Sequence, residues 1–152
     1  MLLLVVTGSC QKNESTDRYG IFEVVDSTTA KMNGTIGGRS LKHFNKMMEE
    51  HPDVKVIVLE DCPGSKNDEV NLKLSKRIHD MGINTGLTST SVIASGAVDL
   101  FLAGHSRLVP EGAKVGVHSW AGGGKEATDF PEDAEEHLMF INYYISVGMT
   151  EE

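Results

Sequence analysis

The chain has 152 residues, 39% of them hydrophobic and 24% charged, enough for one domain with a substantial core. Its formal net charge of -8, with no basic stripe, excludes a general nucleic-acid binder. The apolar run at residues 1–6 is far too short to span a membrane.

That run passes through Thr7, Gly8 and Ser9 to Cys10, and a polar stretch over residues 11–17 follows. Small residues ahead of a cysteine resemble the end of a bacterial lipoprotein signal, in which the cysteine becomes lipidated. Two features depart from that pattern: no positive residue precedes the leucines, and Thr7 stands where leucine is usual. The resemblance implies export to the periplasm or cell envelope, with Cys10 as the lipid anchor and residues 1–19 as leader and linker. The alternatives are an N-terminal strand, a start placed inside the signal, or a cytoplasmic protein. Nothing in the spacing requires Cys10 and Cys62 to pair.

Two short strands are predicted at residues 21–25 and 28–32, separated by Asp26 and Ser27. Asn33-Gly34 and Gly37-Gly38 mark turns, after which Ser40 can cap a helix that buries Leu41, Phe44, Met47 and Met48. Residues 54–59 (VKVIVL) read as a strand buried on both sides. A second helix over residues 67–81 offers Val70, Leu74, Ile78 and Met81, with Ser65 and Asp68 as its capping pair. Next come a strand near 83–87, a turn at Ser95, an apolar helix ending at Gly104, and strands near Leu108 and 115–118. A glycine-rich loop at 121–125 leads into an amphipathic helix over 132–147. Alternating strands and helices without an internal repeat predict an α/β fold around a largely parallel sheet.

Ser95 stands where a strand turns into a helix, so free backbone N–H groups of the first helical turn point at its hydroxyl region. Such donors are what an acyl-transfer oxyanion needs, and His118, arriving on a neighbouring strand, can serve the hydroxyl as base. Against this, a serine at such a position is often only a helix N-cap. Ser91 is a rival nucleophile that reads better as a strand residue. Cys62 is either a reactive thiol or a small side chain packed near the site. His43, His51, His79, His105 and His137 have no metal-ligand spacing, so no metal site and no cofactor is expected.

The order strand, Cys62-Pro63-Gly64-Ser65, helix, strand, Ala94-Ser95-Gly96, helix to Gly104, strand, Val117-His118 resembles the ClpP/crotonase superfamily, in particular the ClpP-like serine peptidases. A less direct likeness is to signal peptide peptidase A and related exported members. The resemblance covers residues 20–152 and implies a spiral of ββα units with a C-terminal handle helix. It implies Ser95 as nucleophile forming an acyl-enzyme, His118 as general base, and the amides of Ser65 and Gly96 as oxyanion hole. Pro63 and Gly64 shape that turn. It also implies a peptide or protein substrate and a homo-oligomer built through the helix at 132–147, which could equally pack on its own domain.

The family has a second glycine where this chain has Ser65, so a positive φ there would be strained. The family's third triad residue is an Asp beyond the long helix, expected past Glu152; Asp129 and Asp133 fall instead at handle positions. Trp120 could wall a substrate pocket or pack against the handle. Two other readings remain open: a catalytically inactive binding or assembly module, and a crotonase-type acyl-CoA enzyme.

Overall fold

The computed structural model describes residues 17–122 and 124–150; Cys10 lies outside the described residues. One seven-stranded sheet carries the fold. The strands β1 (Arg18–Tyr19), β2 (Phe22–Val24) and β3 (Thr29–Met32) form an antiparallel meander. From β3 onward the sheet is parallel, through β4 (Val56–Cys62) and β5 (Asn84–Ala94). On its far side β5 pairs with β6 (Arg107–Leu108) along its first half and with β7 (Lys114–Gly116) along its last three residues. The expected mixed α/β fold is present, and β1 lies in a stretch read from sequence as linker.

The helices α1 (Ser40–Glu50), α2 (Asp68–Asp80) and α3 (Gly96–Leu102) follow β3, β4 and β5 in turn. Phe44, Met47 and Met48 bury one face of α1, with the Phe44 ring 5.8 Å from that of Phe22. Ser40 does not cap α1. It is the first helical residue, and its hydroxyl accepts from the Gly37 amide at 2.9 Å. Nor do Ser65 and Asp68 cap α2: the Asn67 side chain accepts from the Val70 amide at 2.9 Å, and Ser65 donates to Asp68 instead. The buried face of α2 is also rotated from the expected one. It runs through Asn71, Leu74, Ser75 and Ile78, leaving Val70 and Met81 half-buried.

The eleven residues of β5 extend well past the predicted strand. Its polar middle is stabilised by Ser91, whose hydroxyl donates to the Leu59 carbonyl at 2.6 Å and accepts from the Thr88 amide. Opposite this point the register with β4 shifts between Leu59 and Asp61, which lets β5 pass from one short partner to the next. Ser91 is therefore a structural strand residue. Cys62, at the end of β4, is fully buried and donates to the Met32 carbonyl at 3.3 Å. Burial pushes its thiol up to about 11, so it packs and does not react.

Beyond β7 a hairpin of β8 (Ala121–Gly122) and β9 (Lys125–Glu126) leads through two short 3-10 turns to α4 (Leu138–Ser146). The long helix predicted from Glu132 thus starts only at Leu138. Pro131 and a cluster of rings hold the preceding segment in an irregular path. Trp120 stacks on Phe140 at 6.1 Å, lies 5.5 Å from Phe130, and donates to His137 Nδ1 at 3.1 Å. Acidic residues expected inside the helix, such as Glu135 and Glu136, sit just ahead of its start, beside its unpaired N–H groups. Tyr143 is buried where α4 packs on α2, while Leu138, Met139 and Ile145 face outward.

Candidate active site

Three neighbouring parallel strands, β4, β5 and β7, end on the same edge of the sheet. Their last pairings are Cys62 with Ile93 and Ala94 with Gly116. Turns released from such an edge converge outside the strands' carboxyl ends, where open α/β sheets bind ligands.

The turn after β4 contains Gly64 at φ +133°, a conformation only glycine takes without strain. A Cβ there would stand 2.9 Å from the Ser95 Cβ and 3.3 Å from the Ala94 carbonyl oxygen, so this turn lies directly against Ser95. Ser65 itself is not left-handed, and the strain expected of a serine in place of the second glycine does not arise. Ser65 forms a single parallel bridge with Ile36, in which Ile36 bonds the Gly64 carbonyl and the Lys66 amide. That alternation turns the Ser65 N–H to the opposite side.

Ser95 is the one non-glycine residue with positive φ among the described residues, at φ 53° and ψ −132°. Such a conformation costs on the order of 1–3 kcal/mol and persists only where its surroundings over-determine it. Here the Ser95 amide donates to the Gly116 carbonyl at 3.1 Å, and its own carbonyl accepts from Val98 at 2.7 Å. Ser95 occupies the N-cap position of α3, yet its side chain makes no capping bond. The hydroxyl is left for something else. Gly96 follows as the first helical residue, with its N–H unpaired in the helix. A Cβ on Gly96 would meet Ser65 Cβ and Oγ and Asn71 Nδ2, all at 2.8 Å. The Ser65 side chain therefore packs directly against the backbone of Gly96.

A cavity of about 520 Å³ opens above these turns, lined by Ser65, Ser95, Gly96 and His118 together with Val98, Asp99, Trp120, Phe140 and Tyr144. His118 lies just past β7, not on it, because the pairing with β5 ends at Gly116. Its exposed ring places Nδ1 2.5 Å from the Ser119 carbonyl oxygen. A carbonyl only accepts, so Nδ1 carries the proton and Nε2 of the neutral ring keeps its lone pair. Trp120 both lines the cavity and stacks on the segment that follows. Pro63 is exposed and does not line this cavity.

One acid at this cavity was not singled out from sequence. Asp99 on α3 is only 8% exposed, and its carboxylate accepts from the Tyr144 hydroxyl at 2.6 Å and from Asn71 Nδ2 at 3.0 Å. The Tyr143 hydroxyl donates to its carbonyl at 2.5 Å. Burial raises the Asp99 carboxyl above the usual carboxylate range, a shift opposed by the Tyr144 and Asn71 bonds and by His118. The available signal was a lone acid in an otherwise apolar helix, four residues after Ser95. Asp129 accepts from the Glu126 amide and Asp133 is exposed; neither lines the cavity.

The fold is similar to that of the 1510-N membrane-bound stomatin-specific protease, solved as a serine-to-alanine mutant. The TM-score is 0.51 at 18% sequence identity, over 79% of this chain and 60% of that one. A lysine-to-alanine mutant of the same protease, in complex with a substrate peptide, aligns with TM-score 0.46 at 17% identity over 82% and 60%. The chain thus spans 60% of the length of those proteins. No protein-family model and no curated relative matches the sequence.

Proposed function

We propose that this chain is a ClpP-like serine peptidase, built as a spiral of ββα units over residues 20–152, that cleaves peptide bonds through an acyl-enzyme on Ser95. The observation that carries the reading is Ser95 itself: a strained, non-glycine turn whose hydroxyl, free of helix capping, shares a cavity with His118. Strain of this kind is retained where it serves to present a side chain.

In this reading His118 Nε2 takes the Ser95 proton as the oxygen attacks the substrate carbonyl. The negative charge that develops on the carbonyl oxygen is met by the Ser65 and Gly96 amides. His118 then returns the proton to the leaving amine, and water attacks the acyl-enzyme by the reverse route. The Ser119 carbonyl holds the ring in the tautomer this sequence requires.

A fluorophosphonate probe reports directly on such a serine. Labelling of the folded chain that disappears in Ser95→Ala and falls steeply in His118→Ala is the expected result. A folded chain that takes no label refutes the reading.

The proposal extends to a lipid tether at Cys10 and to self-association through the outward residues of α4, Leu138, Met139 and Ile145. Membrane fractionation of Cys10→Ser tests the tether. Light scattering of Ile145→Glu tests the association.

A further inference from the structure

Asp99 is an acid at the proposed site with no part in the steps above. It lies one helical turn beyond Ser95 on the same side of α3, and what surface it keeps lines the cavity shared with His118. A buried carboxylate is costly unless it is held. Here α2 contributes Asn71 and α4 contributes Tyr144 to the two carboxylate oxygens, while Tyr143 fixes the backbone behind them. Each oxygen retains accepting capacity after those bonds.

We propose that Asp99 is a positioning residue for the peptidase reaction: its anion stabilises the imidazolium that forms when His118 takes the Ser95 proton, acting through the cavity and not by a direct bond. The inference rests on the function proposed above. The proton moves from Ser95 Oγ to His118 Nε2, the oxygen bonds the substrate carbon, and the carbonyl electron pair becomes the oxyanion. Asp99 stays ionised throughout.

The two tasks usually joined in one triad carboxylate are thus divided. The Ser119 carbonyl orients the ring, and Asp99 compensates its charge. The other charged or titratable groups facing Asp99 are Asp68 at the head of α2, Lys66 in the preceding turn, and the phenols of Tyr143 and Tyr144 on α4. Asp68 is the only other carboxylate lining this cavity; it is less buried than Asp99 and already takes the Ser65 hydroxyl at 2.5 Å.

The test is the rate of Ser95 labelling by a fluorophosphonate, measured on the full chain across the titration range of histidine, alongside melting curves. Asp99→Asn keeps an acceptor for Tyr144 and removes the charge. It should slow labelling about tenfold and lower the pH midpoint of the rate by about one unit, the same coupling read in two ways. Asp99→Glu, which restores charge but fits the buried site less well, should keep the midpoint near that of wild type. Asp133→Asn should change neither rate nor midpoint.

A purely structural role would slow labelling in Asp99→Asn without moving the midpoint, and that result overturns the inference, as does an unchanged rate. Tyr144→Phe supplies an independent reading should Asp99→Asn fail to fold. It weakens the hold on the anion and should move the midpoint in the same direction by less; an unmoved midpoint counts against the inference. A wild-type chain without Ser95-dependent labelling overturns this inference and the proposed function together. Ser95-dependent labelling with an unmoved Asp99→Asn midpoint overturns this inference alone.

Discussion

Replacing Gly64 by alanine tests the arrangement at its tightest point. The glycine sits at φ +133°, so any side chain there is strained by about 1–3 kcal/mol. The added methyl would also stand 2.9 Å from the Ser95 Cβ and 3.3 Å from the Ala94 carbonyl oxygen. Neither neighbour is the free end of a flexible side chain, so relief must come from the backbone, at about 1–3 kcal/mol for overpacking. Together these give about 2–6 kcal/mol, and at 2–4 °C per kcal/mol for a chain this size the melting temperature should fall by roughly 4–24 °C. Gly82→Ala separates strain from collision. Gly82 is at φ +64° with nothing within 4 Å, so its alanine variant carries only about 1–2 kcal/mol of left-handed strain. Fluorophosphonate labelling below both melting temperatures then gives the decisive comparison. Gly64→Ala should lose about a hundredfold or more in rate, the scale of one misplaced oxyanion donor, while Gly82→Ala labels like wild type. Equal labelling by the two variants would show that the 63–65 turn does not support the Ser95 site.

Ser95→Gly should melt about 2–4 °C above Ser95→Ala, because glycine relieves a left-handed strain larger than its own entropic cost, while neither variant takes label. Tyr143→Phe removes a buried donor to the Asp99 carbonyl and should lower stability by about 1–3 kcal/mol in chemical denaturation. Burial favours the protonated form of Asp99 in the folded chain, so this contribution to stability is full below the ordinary carboxylate range and is lost as pH rises through the raised folded value. Asp99→Asn escapes that loss. Its melting temperature should therefore gain on wild type as pH rises from about 4, and the opposite trend would refute the assignment of burial as the cause. Cys62 should resist iodoacetamide at neutral pH until the chain is unfolded, since its thiol is buried and pushed up to about 11.

Much of this architecture follows from local pattern. The β-branched run of β4, the apolar stripe of α1 and the strand–turn–helix around Ser95 each depend on residues close together in the chain, and their positions were legible. Where long-range partners decide, the sequence was silent. The polar middle of β5 looks like a break, yet Ser91 satisfies the distant Leu59 carbonyl and the strand continues. The face of α2 was misread because Asn71 and Ser75 are buried, against the usual sense of polarity. Asn71 is explained only by Asp99, which lies 28 positions further along the chain. Asp99 itself could be noticed as a charge in an apolar helix, but its role could not be inferred without Tyr144 and His118 beside it. The start of α4 depends on rings that meet only after the hairpin folds back.

The contacts of α4 tie two properties together. Phe140 and Tyr144 wall the cavity, and Tyr144 also holds the carboxylate of Asp99. Any event that peels this last helix away widens the entrance and, in the same stroke, uncovers the acid to solvent. Access to the cavity and the electrical environment of the imidazole therefore depend on one helix, and a ligand that clamps it in place would tune both at once.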